Sequence, residues 1–233
     1  MSYFRATLFL FLCFSIPAVA KYQTYPSQIY YLSFPNLPKG EVAFINGMNH
    51  KPDRAVKCSM MISELAGRRN VYTVYNPTSG VFGDLKKCYH ELFRFKISEP
   101  VSKLHEKWDS FFALHPKHVK YLQFCHSEGS IQVRNALARY PHELRKRIIV
   151  IAIAPAAYIS DEICHHTYHY VSRRDIVPYF DRLGRKICKD SIIRLTPHPE
   201  ARFFDHHFLS PTYRDAITHH LKEYLRENGI WEE

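Results

Sequence analysis

The sequence predicts an α/β fold in one domain, with a mainly parallel central sheet, helices on both of its faces and no separate cap domain. Three observations carry that expectation. Short apolar runs rich in β-branched residues alternate with helical periodicity from Glu41 to Leu225. The run Arg147-Ile-Ile-Val-Ile-Ala-Ile153 is apolar throughout, as a strand covered on both faces must be. No internal repeat, low-complexity tract or linker divides the chain.

The elements follow in order. Residues 21–40 form a Tyr- and Pro-rich lead-in, with short edge-strand character around Gln28 to Ser33. Glu41-Val-Ala-Phe-Ile45 is a buried-strand run that ends at Asn46-Gly47-Met48-Asn49. Helical spacing over Ala55, Cys58, Met61, Ile62 and Leu65 closes at Gly67. Asn70 to Tyr75 is a β-branched and aromatic strand, and helices are expected over Asp84–Phe93 and, after Pro100, Val101–Leu114. The strand Val119–Cys125 precedes a helix over Ile131–Tyr140. The Arg147–Ile153 strand follows, then strands over Thr167–Ser172 and Ser191–Leu195 and a closing helix over Pro211–Glu227. Residues 41–233 thus make up the expected domain, and Ala154 to His166 is too short a connection to hold a lid.

A length of 233 residues is one domain's worth, and 46% hydrophobic with 23% charged residues excludes a disordered chain. Only 8 glycines, with neither G-x-G-x-x-G nor G-K-[ST], argue against a phosphate-binding loop and against a nucleotide cofactor. The formal net charge of +10 favours anionic surroundings such as a phospholipid membrane surface. The basic residues are scattered over expected helices without a recognisable module, so nucleic acid is not an expected partner.

Met1 to Ala20 combines Arg5, the apolar stretch Ala6–Ile16 and the small-x-small site Ala18-Val19-Ala20. The pattern predicts a signal peptide cleaved before Lys21 and hence export across the inner membrane, to the periplasm, the envelope or the medium. The competing reading is an uncleaved anchor over residues 4–19. Cys58, Cys88, Cys125, Cys164 and Cys188 remain after the leader; Cys58–Cys88 and Cys164–Cys188 could bridge in an oxidising compartment, leaving Cys125 in its strand.

The chemistry centres on Lys120-Tyr-Leu-Gln-Phe-Cys-His-Ser-Glu-Gly-Ser-Ile131. An apolar strand breaks sharply at His126-Ser127-Glu128-Gly129, and a helix follows. That is the layout of a nucleophile elbow, which lifts a serine hydroxyl above the sheet edge with a helix N-terminus behind it. The pattern G-x-S-x-G reads here Cys125-His126-Ser127-Glu128-Gly129, with cysteine for the first glycine. The plain alternative is that Ser127 only caps the helix.

A serine nucleophile needs a base, a carboxylate to orient it, and donors for the oxyanion. Past the strand after next, Ser172-Arg-Arg-Asp175-Ile-Val-Pro178 supplies a carboxylate, whose alternative is a surface ion pair with Arg173 or Arg174. Past the next strand, Phe204-Asp205-His206-His207-Phe208 supplies two imidazoles that spacing cannot separate. Serine, acid and histidine in that order resemble an α/β-hydrolase of the lipase/esterase kind, over most of Glu41 to Leu225. The chain also resembles a family of uncharacterised exported chlamydial proteins, through Phe44-Ile-Asn-Gly47 and Ala154-Pro-Ala-Ala-Tyr158, which adds no activity.

The hydrolase resemblance implies a serine esterase or lipase-like enzyme acting on a small-molecule or lipid ester. Ser127 would be the nucleophile, Asp175 the acid and His206 the base with His207 its rival. Backbone N–H groups of Glu128 and of Gly47 or Met48 would form the oxyanion hole. It implies no cofactor and no metal. Two alternatives of other classes stand beside it: a hydrolase-shaped binding or envelope protein without turnover, and an acyltransferase. A metal reading of Cys164-His165-His166 with His169, completed by Asp205-His206-His207, allows only partial convergence if Thr167–Ser172 is a strand, because His166 and His169 then face opposite ways.

Overall fold

A computed structural model describes residues 25–77 and 98–229. The expected leader, the expected helix over Asp84–Phe93 and Cys88 lie outside the described residues. Among the described residues seven strands form one sheet: β1 (Ile29–Tyr30), β2 (Glu41–Ile45), β3 (Tyr72–Val74), β4 (Tyr121–His126), β5 (Ile148–Ile153), β6 (His166–Ser172) and β7 (Ile192–Leu195). Their order is β1-β3-β2-β4-β5-β6-β7; β1 runs antiparallel to β3 and every other pair is parallel.

Side chains alternate across each strand, so every buried strand feeds two cores. On one face Val42, Phe44, Leu122, Phe124, Ile151 and Ile153 pack against Cys58 and Ile62 of α1 (Pro52–Leu65) and against the last helix. On the other, Ala43, Ile45, Tyr121, Cys125, Val150 and Ala152 meet Leu104, Trp108 and Phe111 of α2 (Glu99–Leu114) and Val133, Ala136 and Leu137 of α3 (Gly129–Leu137). Each fully buried large aliphatic or aromatic side chain contributes roughly 1.5–3 kcal/mol. Two short helices, α4 (His142–Arg145) and α5 (Arg182–Ile187), precede β5 and β7, and α6 (Arg214–Glu227) closes the chain.

Helix starts differ most from expectation. α1 begins at Pro52, three residues before Ala55, and α2 at Glu99, before Pro100. Proline in the first turn lacks only an N–H that would go unpaired there anyway, so it sits inside the helix. α3 spans Gly129–Leu137, not Ile131–Tyr140, and Pro211–Tyr213 is a 3-10 turn ahead of α6. Gly67 ends α1 at φ 70°, and the Arg68 N–H returns to the Ser63 carbonyl at 2.7 Å.

No disulfide joins the cysteines among the described residues. Cys58 and Cys125 are buried free thiols, and so are Cys164 and Cys188. Cys58 faces the core from α1. The Cys164 sulfur shares a hydrogen bond with Thr167 Oγ1 at 2.9 Å, and burial pushes its thiol up to about 12.

Candidate active site

β4 ends at His126 and α3 begins at Gly129, so the chain reverses within two residues. Ser127 absorbs the turn at φ 51°, a left-handed conformation that costs a non-glycine residue on the order of 1 kcal/mol or more. Its backbone holds the strain in place. The Ser127 N–H donates to the Ile153 carbonyl at 3.2 Å, and its own carbonyl accepts from Ser130 N (3.0 Å), Ser130 Oγ (2.7 Å) and Ala156 N (3.1 Å). Gly129 is required by space: a Cβ there would lie 2.8 Å from the carbonyl oxygens of both Ile45 and Asn46. Cys125, in the place of the elbow's first glycine, is accommodated in the core beside α3.

The Ser127 hydroxyl is not a helix cap. It lies 2.9 Å from His206 Nε2, while His206 Nδ1 lies 2.7 Å from Asp175 Oδ2. A carboxylate only accepts, so Nδ1 carries the proton and Nε2 offers its lone pair to the serine O–H. Asp175 follows β6, is 1% exposed, and takes a second bond from the Val177 N–H at 3.0 Å. Its carboxylate is therefore spent on His206 and the backbone, not on Arg173 or Arg174.

The adjacent imidazoles go to different surroundings. His207 turns away from Ser127 toward the Arg54 guanidinium, and burial, with Arg54 and Arg202 nearby, lowers its pKa to about 4. His126 Nε2–H donates to the His206 carbonyl at 2.7 Å, and burial holds its pKa well below the ordinary value.

The loop after β2 lies against the serine. A Cβ on Gly47 would come 2.6 Å from Ser127 Cβ, and Met48 lines the cleft above the hydroxyl. Asn46 fixes this loop: its amide donates to the Gly47 and Asn76 carbonyls, both at 2.9 Å, and its Oδ1 accepts from Asn76 N at 2.9 Å. Asn76 Nδ2 in turn donates to Glu128 Oε2 at 3.0 Å. Sequence reasoning missed Asn76, although it follows strand β3 at the same sheet edge. The cleft has a volume of about 370 Å³ and is lined by His50, Arg54, Arg202 and Phe204, also unforeseen, as well as by His126, Ser127, His206 and His207.

The residues of the metal reading do not gather. His169 is buried with its Nε2 accepting from Ile159 N at 3.0 Å and its Nδ1 2.9 Å from Ser191 Oγ, while His166 pairs with Asp161 at 2.8 Å.

The model of one family, described as a protein of unknown function (DUF687), matches residues 34–224. The chain belongs to the DUF687 family. No curated protein matches it. Among solved structures it is similar to an arylesterase, with a TM-score of 0.57 and 11% identity over 93% of this chain and 88% of that one. It is also similar to a Bacillus cereus carboxylesterase (TM-score 0.52, 9% identity, 85% and 94% covered) and to a lipase-esterase related protein of Clostridium acetobutylicum (TM-score 0.50, 10% identity, 84% and 99% covered). At these identities the likeness shows the fold. This DUF687 chain has the α/β-hydrolase fold, a seven-stranded, mostly parallel sheet with helices.

Proposed function

We propose that the protein hydrolyses carboxylic esters or thioesters through an acyl-enzyme on Ser127. The observation that carries this is the unbroken hydrogen-bonded path from Ser127 Oγ through the His206 ring to a buried Asp175. His206 Nε2 takes the hydroxyl proton as Oγ attacks the carbonyl carbon. The negative oxygen of the tetrahedral intermediate is received by backbone N–H groups of Glu128 and of Gly47 or Met48. His206 then protonates the departing alkoxide or thiolate. A water gives its proton to the same nitrogen while attacking the acyl carbon, the acid leaves, and the serine is restored. Asp175 keeps the proton on Nδ1 and stabilises the imidazolium of each step.

A fluorophosphonate probe tests this. It is expected to label the protein at Ser127 and to leave Ser127→Ala and His206→Ala unlabelled, while His207→Ala keeps most of the reaction. Loss of His206 should lower turnover by about 10³-fold or more. Equal labelling of Ser127→Ala would reject the reading.

Exposed apolar side chains in the segments that carry two cleft residues support a lipid or membrane-borne ester as one source of substrate. Near the cleft-lining Val177 and Phe204 in sequence, Ile176 (60% exposed), Phe180 (76%), Leu183 (70%), Ile187 (60%) and Phe203 (93%) project into solvent. Exposed Arg173, Arg174, Arg182, Lys186 and Lys189 interleave with them. Apolar tips among cations suit an anionic bilayer surface.

A further inference from the structure

The charge in the cleft is lopsided. Arg54, in the first turn of α1, and Arg202, in the loop after β7, both line it beside Ser127. Among the described residues neither is ion-paired to a carboxylate. The partner Arg54 does have is the His207 ring. An imidazole is a poor match for a guanidinium, whose planar fork fits an oxyanion with two parallel bonds. Asp175, beneath the cleft, is committed to His206 and Val177 N–H.

Nor do His50 and His207 alter the balance. Burial and then Arg54 lower His50 to about 3, and burial with Arg54 and Arg202 lowers His207 to about 4. Both are neutral above pH 5, while the two guanidiniums stay charged across the physiological range. A concave surface of one sign concentrates ligands of the other. Met48, Val177 and Phe204 offer apolar contact for a carbon skeleton between.

We propose that the cleft selects esters that also carry an oxyanion, a carboxylate or phosphate, a few bonds from the reacting carbonyl, with Arg54 and Arg202 as its receptors. This names a substrate class for the hydrolase reading above, and rests on that reading for the reacting carbonyl alone.

Binding to Ser127→Ala tests it without turnover. The monoanionic 4-nitrophenyl ester of glutarate and its neutral isostere, 4-nitrophenyl 5-methylhexanoate, are compared by calorimetry. The anion is expected to bind tighter by about ten- to a hundredfold, the worth of a charge-assisted pair. That preference should vanish when Arg54→Gln and Arg202→Gln are added, and should shrink between 50 mM and 500 mM salt with both arginines present. The salt series decides the matter even if the arginine variants misfold. Free glutarate and inorganic phosphate as competitors rank the two oxyanions, and displacement by either supports the assignment. Equal affinities, no measurable affinity for the anion, or a preference that survives removal of both arginines would overturn it. If the Ser127-intact protein cleaves both esters equally, the hydrolase reading stands and this one falls. If it cleaves neither while Ser127→Ala keeps an arginine-dependent preference, the reverse holds.

Discussion

The ring of His126 holds the backbone of His206: its Nε2–H donates to the His206 carbonyl at 2.7 Å across 80 residues of sequence. The residue before the candidate nucleophile thereby anchors the loop that carries the candidate base. Because burial keeps His126 neutral, that anchor is not lost on mild acidification. His126→Leu removes the donor, and kcat with any cleaved ester is expected to fall by about ten- to a hundredfold, the cost of a misplaced catalytic group. KM should change little, since His126 acts through His206. His126→Asn, which retains an N–H donor, should recover part of the loss. A structural role alone would lower stability in both variants without this split.

Two glycines make opposite predictions about stability and activity. A Cβ on Gly129 meets backbone oxygens of Ile45 and Asn46 at 2.8 Å, which cannot move without shifting β2. Gly129→Ala should therefore destabilise the fold by roughly 1–3 kcal/mol, read from urea midpoints. A Cβ on Gly47 meets the Ser127 side chain at 2.6 Å, at the rim of the cleft. Gly47→Ala should cost less stability and far more reaction with a fluorophosphonate. If both variants lose stability equally and keep the same labelling rate, the close approach of the β2 loop to Ser127 has no chemical consequence.

The strands were legible because burial on both faces writes itself as unbroken apolar runs. Glu41–Ile45 matches β2, and Arg147–Ile153 is within one residue of β5. The candidate site was legible as far as chain order along one sheet edge can carry it. Ser127, Asp175 and His206 were nameable because each follows a strand end, and they meet. What separates His206 from His207 is Arg54, which reaches His207 from a helix about 150 residues away, and local spacing holds no trace of that. The pairing of the cysteines was open for a similar reason: it depends on where side chains point, and Cys164 is turned to Thr167. Helix α5 went unforeseen because its Leu183 and Ile187 face solvent, so no buried stripe announces it.

Neutral buried histidines tie stability to pH. Burial lowers His169 and His50 to about 3 and His220 to about 4, each from an ordinary 6.5. Between those values the unfolded chain binds protons that the folded chain refuses, so falling pH favours unfolding. Their contribution is complete above pH 6.5 and is lost progressively as pH drops, toward 4 for His220 and toward 3 for His169 and His50. Each imidazole adds a slope of up to roughly 1.4 kcal/mol per pH unit in that window. Urea midpoints at pH 7.5, 6 and 5 should fall in that order. His169→Phe, which also forfeits the Ile159 hydrogen bond, should be less stable at pH 7.5 but show a shallower fall. A midpoint independent of pH from 7.5 to 5 would contradict the burial of these rings.

Exposed Phe180 and Leu183 give the last prediction. Large apolar side chains in water forgo about 25 cal/mol per Å² of burial, and several cluster between Ile176 and Ile187 among cations. Each Lys or Arg near an anionic bilayer surface adds about 1 kcal/mol of attraction. The protein is therefore expected to sediment with vesicles of equal parts phosphatidylcholine and phosphatidylglycerol, and far less with phosphatidylcholine alone. The double variant Phe180→Asp, Leu183→Asp keeps the fold, since both positions are exposed, and should lower partitioning by about tenfold or more. Residues 1–24 are the same in both proteins, so the difference reports the exposed side chains of Phe180 and Leu183. High salt should weaken binding of the unaltered protein without abolishing the apolar share. Equal sedimentation with both vesicle types would remove the anionic surface. A concentration-dependent dimer that the double variant abolishes would assign this face to a second copy of the chain.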